Sequence, residues 1–519
     1  MVMAVMRRVR VASLFLLSSG LLAQSPTGDP MIGRIRSEGL EHSQVTPVFE
    51  TLTIDIGPRL TASPAHKRAA EFMRERLAAY GLTNAHLEPW TFGAGWTLEK
   101  LTIDLIEPRY LPLIGYADAW SPSTAGELVG APLWLPGKTP EQIQAMSRQL
   151  KGAIVMTAPI ITTFVRRDRP QPSDPDDTPG SAAYATSAGR AAVAPGQGRG
   201  APATGSGRGN SAAQQISQIL REAGAGVFVR PSAGEHGTVF VTGVTNRATA
   251  PTGMPSIVLS GEHYNMIARM LEHHMPVKLR VNVQTKYHEG AGNAYNVVAE
   301  LPGSDPALRD EVVMIGGHLD SWHTGVGATD NADGSTTVIE AMRILKAVGA
   351  RPRRTIRVAL WGGEEQGLLG SKAWIEQHLA GDANRAAREK FDVYFNIDNG
   401  TGPIYGWYLE HSEAVRPIFD AWLEPLKDLG ARRNVIEPVG STDHVSFNTA
   451  GVPGFNPIQD YVGYDVRTHH TNMDTVDRVK QDDIRQAAIV MATFAYQAAM
   501  SDAKIPRERP RPERARERE

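Results

Sequence analysis

Val312-Val313-Met314-Ile315-Gly316-Gly317-His318-Leu319-Asp320 decides the architecture of this chain. Four apolar residues, two of them valine, form a short run ended by a glycine pair, the pattern of a strand buried on both faces. The stretch then turns polar at His318 and Asp320. A helical pattern follows over Ser335 to Val348, with Val338, Ala341, Met342 and Leu345 on one face. A second apolar run, Ile356 to Trp361, ends in Gly362-Gly363-Glu364-Glu365, and a third, Phe391 to Ile397, ends in Asp398. Ile484 to Ala499 reads as a closing helix. Strands alternating with helices predict an α/β fold, a mixed sheet flanked by helices on both faces. In such sheets ligands bind beyond the carboxyl ends of the strands.

Those ends carry His318, Glu364, Glu365 and Asp398, and the turn before the first helix adds Asp330. Carboxylates crowded at one sheet edge repel one another and are costly to desolvate. A divalent cation resolves that conflict. Imidazole and carboxylate ligands without thiolate suit zinc in a catalytic site, with positions open to water. The number of acids suggests two metals sharing a carboxylate, about 3.5–4 Å apart.

Outward from this core, Ala69, Phe72, Met73, Leu77 and Tyr80 repeat at helical spacing, and Gly81 stands at the C-cap position. Between residues 121 and 285 the texture changes to short β-rich runs such as 153–156, 226–229 and 256–259. A stretch from 166 to 213, rich in Gly, Ala, Pro, Ser and Arg, is expected to be a disordered loop. The tail, 504–519, is Arg, Glu and Pro and is expected to be disordered too.

At the front, Arg7, Arg8 and Arg10 precede the 12-residue apolar run Val11 to Leu22, with a cleavage point at Ala23-Gln24. This reads as a signal peptide over 1–23 and implies a secreted or periplasmic protein. The run is short of the ~20 residues that span a bilayer, so no stable membrane anchor is expected. The 519 residues are 41% hydrophobic and 21% charged, with a formal net charge of -2. That balance gives no electrostatic case for nucleic acid. The chain has no cysteine, which excludes disulfides and a thiol nucleophile.

The run Gly-Gly-His318-Leu-Asp320-Ser-Trp, then Asp330-Asn331, then Trp361-x-x-Glu364-Glu365-Gln-Gly resembles the co-catalytic zinc exopeptidases, which include bacterial aminopeptidases and glutamate carboxypeptidases. The resemblance is strongest to the carboxypeptidase Q branch. It extends through Arg351-Pro352-x-Arg354-Thr355, Ser441-x-Asp443-His444 and His469-His470-Thr471-x-x-Asp474-Thr475. It implies two Zn2+ per chain. Asp330 would bridge them, with His318 and Asp398 completing one site and Glu365 and His470 the other. Glu364 would be the general base, and Asp320 would accept the second ring N–H of His318. The Asp330–Asn331 peptide would be cis. Residues 24–120 and 286–503 would form the peptidase domain, and 121–285 an inserted β-rich protease-associated domain.

Asp443 and His444 match a motif near such a site and are candidates for shaping the pocket. Tyr461 and Tyr464 are candidates for stabilising an oxyanion. Arg467 could hold a substrate carboxylate. Peptide or dipeptide substrates follow, with either end open to attack, and a homodimer is admitted as an assembly. Two other classes stay open on the same architecture: a receptor-like binding module without metal, and a one-zinc acyltransferase of the glutaminyl cyclase type.

Overall fold

The computed structural model describes residues 29–172, 212–244 and 253–507, apart from positions 289 and 291. The signal-peptide reading of 1–23 lies outside these residues.

The central sheet has six strands: β1 (Thr83–Trp90), β2 (Ala294–Leu301), β3 (Val312–His318), β4 (Thr355–Trp361), β5 (Phe391–Asn396) and β6 (Gly454–Phe455). Their spatial order is β1-β2-β4-β3-β5-β6. The pairs β1/β2 and β2/β4 are antiparallel; β4/β3, β3/β5 and β5/β6 are parallel. The sheet is therefore mixed, as expected. Helices α1 (Pro64–Ala79), α2 (Asp333–Ala347) and α3 (Gln481–Met500) bury one face of it, where Val338, Met342, Ile489 and Phe494 pack against Val313, Ile315 and Val358. On the other face Trp361, Trp374, Tyr394 and Phe447 form a second, aromatic core. With both faces covered, every residue of β5 is buried, which is why these strands read as continuous apolar runs rather than alternating ones.

Register matters most for function. His318 stands opposite Trp361, and Gly316 opposite Asn396, so three parallel strands end at one level. Gly316 has to be glycine for that closeness, since a Cβ there would lie 2.5 Å from the Ala359 carbonyl oxygen.

A second layer comprises a five-stranded sheet containing Ile154–Met156, Val227–Pro231 and Ser256–Leu259, and a four-stranded sheet built on Gly95–Glu107 paired with Lys278–His288. These share an apolar core that includes Ile103, Leu105, Val229, Leu259 and Val281. This layer is entered at Gly95, ahead of residue 121, and left after His288. The pairing that places 95–107 there joins residues about 180 apart in sequence, which no local pattern displays.

Two expected disordered segments are ordered in part. Residues 166–172 make specific hydrogen bonds to the peptidase domain, and Ala212–Glu222 is a helix. At the tail, Ile505 is 3% exposed, and its N–H donates to the Asp392 carboxylate at 2.7 Å. Lys504 and Arg507 tie the same stretch to the carbonyls of Glu389 and Arg388 at 2.6 and 2.8 Å. The remainder of both segments, 173–211 and 508–519, lies outside the described residues.

Candidate metal centre

The strand ends converge on one buried cluster. His318 Nε2 lies 3.1 Å from Asp330 Oδ1 and 3.5 Å from Asp398 Oδ1. His470 Nε2 lies 3.4 Å from Asp330 Oδ2 and 2.9 Å from Glu365 Oε2. Asp330 thus turns one oxygen to each imidazole and stands between two half-sites. The Asp330–Asn331 peptide is cis. Asp474 holds the main chain here, accepting from the N–H groups of Thr329 at 2.7 Å and Asp330 at 3.3 Å. Asp474 stood in the sequence only as a member of the His469-His470-Thr471-x-x-Asp474-Thr475 motif.

The donor set fits a divalent metal. His318 Nε2 and both Glu365 oxygens are buried without a hydrogen bond among the described residues. Native interiors rarely leave several adjacent polar atoms so. Charge tells the same story. Burial pushes the Glu365 carboxyl well above the usual range, and Asp330 adds to the push. Burial does the same to Glu364, opposed by His318 and reinforced by Asp398, Asp443 and Glu365. Burial resists protonation of His318, but Asp398, Asp320 and Asp330 together raise its pKa well above 6.5. His470 is lowered by burial, with Asp330 and Asp398 opposing. Protons are thus held where a metal's charge would let the acids ionise together. His318, Asp330 and Asp398 form one group with metal-ligand spacing; Asp330, His469 and His470 form another. His469 is thus also within ligand spacing of Asp330, but its ring stacks on Tyr464 at 5.0 Å, whereas His470 faces Glu365.

Glu364 follows Gly363, whose φ of +74° turns the chain sharply after β4. The Glu364 N–H donates to Asp320 Oδ1 at 3.2 Å, and Thr61 donates to Asp320 Oδ2 at 2.7 Å. Asp320 was expected to accept the second ring N–H of His318. The ring Nδ1 of His318 pairs with the Asp320 backbone carbonyl at 2.9 Å, while the Asp320 carboxylate stays 3.7 Å away. The side chain is engaged in holding the Glu364 turn.

Arg59 follows Gly57 and Pro58 ahead of α1. It is fully buried beneath the acids and donates to the carbonyls of Leu319, Val326 and Gly327, each at 2.8 Å. Burial lowers its pKa to about 10, and Asp474, Asp320 and Asp330 resist the fall. It remains a cation and shapes the loop that leads to Asp330.

The supporting candidates divide. Asp443 is buried with neither oxygen bonded among the described residues, and burial pushes it up to about 7. His444 Nε2 pairs with the Val439 carbonyl at 2.9 Å and lies 3.4 Å from Glu410. Tyr461 pairs with Tyr408 at 2.8 Å. The Tyr464 hydroxyl is buried without a partner among the described residues. Burial and then the Asp330 and Asp398 carboxylates push it well above the usual phenol value, which sets it beside the cluster. Arg467 is drawn elsewhere: it donates to the Glu235 carbonyl at 2.9 Å and to Thr238 at 3.0 Å, both in the second layer. The reading of Arg467 as a holder of substrate carboxylate finds no support in that geometry.

The parallel strand ends of a mixed sheet thus deliver histidines and carboxylates to one shared, buried cluster with metal-ligand spacing. The chain matches the model of Peptidase family M28 over residues 296–495, and the protein is a peptidase. It is 26% identical over 454 residues to carboxypeptidase Q of Bos taurus, spanning 87% of this chain and 84% of that one. To carboxypeptidase Q of Homo sapiens it is 25% identical over 452 residues, with the same coverage. Among solved structures, the Peptidase M28 precursor from Shewanella amazonensis SB2B superposes with a TM-score of 0.67 at 25% identity, covering 93% of this chain and 99% of that one. A zinc aminopeptidase from Bacillus subtilis shares the fold at 16% identity, with a TM-score of 0.57 over 89% of this chain and 96% of that one.

Proposed function

We propose that the protein is a secreted or periplasmic exopeptidase that hydrolyses the terminal peptide bond of short peptides or dipeptides with two zinc ions. One observation carries this reading: Asp330 presents its two oxygens to two separate histidines, each with its own further acid, and together with Glu365 and His470 it lines a cavity that also takes in Trp322, Gly325 and Gly327. His318 and Asp398 would hold one ion, Glu365 and His470 the other, and Asp330 both. When bound there, the metals supply a water acidified toward neutral pH and an electrophile for the scissile carbonyl. Glu364, set beside the cluster with its N–H fixed by Asp320, would serve as the base that accepts a proton from the attacking water and gives it to the leaving amine. Tyr464 offers the free hydroxyl that would donate to the oxyanion. The second layer, read as a protease-associated insert, bounds the cleft. Among the described residues no helix is long and apolar enough to cross a membrane.

The test is incubation of the purified protein and zinc with a mixture of short peptides, products read by mass spectrometry, with and without a chelator. Chelator-sensitive loss of single residues from one end supports the reading and shows which end is attacked. Peptides left intact in both arms, or cut internally, overturn it. Two bound zincs per chain separate this reading from the one-zinc acyltransferase and from the metal-free binding module.

A further inference from the structure

The turn that carries His470 has little support from the central sheet. Tyr464–Thr468 is one π-helical turn that runs straight into the turn at 469–470, and His470 itself adopts φ of +60°, a left-handed conformation uncommon for a residue with a Cβ. The second layer supports it from two sides. On one side, the Asp168 carboxylate accepts from the N–H groups of Gly463 at 2.8 Å and Val466 at 2.9 Å. Next to it, the Arg169 N–H and guanidinium bind the Asp465 carboxylate at 2.5–3.1 Å, and the guanidinium lies 4.9 Å from the Tyr461 ring centre. Asp465 is 6% exposed at its side chain, so this is a largely desolvated, bidentate pair. On the other side, Val241 N–H donates to the carbonyl of His470 at 3.0 Å, and Phe240 bridges Thr471 as a strand would.

We infer that the second layer is a structural part of the His470 half-site: the Asp168-Arg169 arm is a positioning clamp that holds the His470 turn in ligating geometry. It acts on the metal through the main chain of 463–470 and touches neither substrate nor metal. This rests on the dizinc reading above. The clamp bears on one half-site only, because His318 and Asp398 are delivered by β3 and β5. Partners that orient a ligand from behind are typically worth about 10–100-fold in metal affinity.

The test is titration of metal-free full-length protein with zinc, followed by calorimetry and by counting bound metal, for the wild type, Asp168→Ala, Asp168→Asn, Arg169→Gln and the distant surface control Arg148→Gln. The wild type and the control should bind two equivalents. Asp168→Ala and Arg169→Gln should bind one as tightly as before and the other about 10–100-fold more weakly. Asp168→Asn keeps one acceptor and should fall between. Hydrogen exchange at 463–470 should quicken in the clamp variants while 312–318 stays protected, which also covers a variant too unstable to titrate. Two unchanged equivalents in the clamp variants, or equal loss at both sites, overturns the clamp alone. A wild type that binds fewer than two zincs overturns the dizinc reading, and the clamp with it.

Discussion

The two halves of the metal cluster are built in different ways. His318 and Asp398 sit at the ends of adjacent parallel strands, in a register fixed by main-chain pairing and sealed by fully buried neighbours. His470 sits on a loop of positive φ, held by an arm and a bridge from the second layer. A sheet end positions a ligand through the cooperative stability of the whole core, whereas a clamped loop depends on a few hydrogen bonds and can open locally at much lower cost. Preorganisation in this site is therefore uneven.

The most severe way to erase the comparison is to remove what the halves share. Asp330→Ala should abolish binding of both zincs and all measurable peptide hydrolysis, since each half loses a ligand; one retained tight equivalent, seen by metal analysis, would show that Asp330 does not bridge. Glu364→Gln should keep both metals and reduce kcat by about 10²–10⁴-fold. Turnover at the wild-type rate would remove Glu364 as the general base. Slow dialysis against a chelator sharpens the contrast directly. One equivalent should leave before the other, and His470→Ala should lack only the fast one; simultaneous release would mean the halves are equally held.

Smaller effects follow from the scaffold. Phe494 is fully buried with its ring 4.9 Å from Trp407 and 5.3 Å from Phe419, so Phe494→Ala should cost about 3–5 kcal/mol in denaturant unfolding. It should leave the zinc count of the folded protein at two. His66 is fully buried, and burial lowers its pKa from 6.5 to about 4. The unfolded chain then takes up the proton first as pH falls. Stability contributed by neutral His66 is complete above about 6.5 and is lost toward pH 4, by roughly 3 kcal/mol. A Tm-versus-pH curve for His66→Gln should be flatter over that window; an unchanged slope would place the acid lability elsewhere.

What could be read in advance follows the same division. The half seated on strands was legible because buried parallel strands leave an unbroken apolar run, and a glycine pair followed by His318 or Glu364 marks where each run meets the site. The matching of Asp330 and His470 came from motif resemblance, and the structure brings both to the cluster. Asp320 was expected beside the ring of His318; its carbonyl pairs with that ring, and its carboxylate also accepts from the Glu364 N–H, a contact no motif announces. Arg467 looked free to bind a carboxylate until its partners in 235–238 were visible. Arg59 carries no local signal, since a buried cation under a loop is recognised only by what surrounds it, and the motif that holds Asp474 does not show that its carboxylate braces the turn at Asp330.

By itself the sequence determined the α/β class, the strands that end in the cluster, the zinc-peptidase resemblance and the cysteine-free chemistry, because each rests on periodicity, composition or adjacency along the chain. Only the tertiary structure decided where the second layer begins, which acids lie unpartnered and which partners hold the His470 turn. Those depend on contacts between residues far apart in sequence, such as Gly95–Glu107 with Lys278–His288 or Arg169 with Asp465. Long-range pairing is set by the packing of whole layers, and it leaves no periodic trace in the local chain.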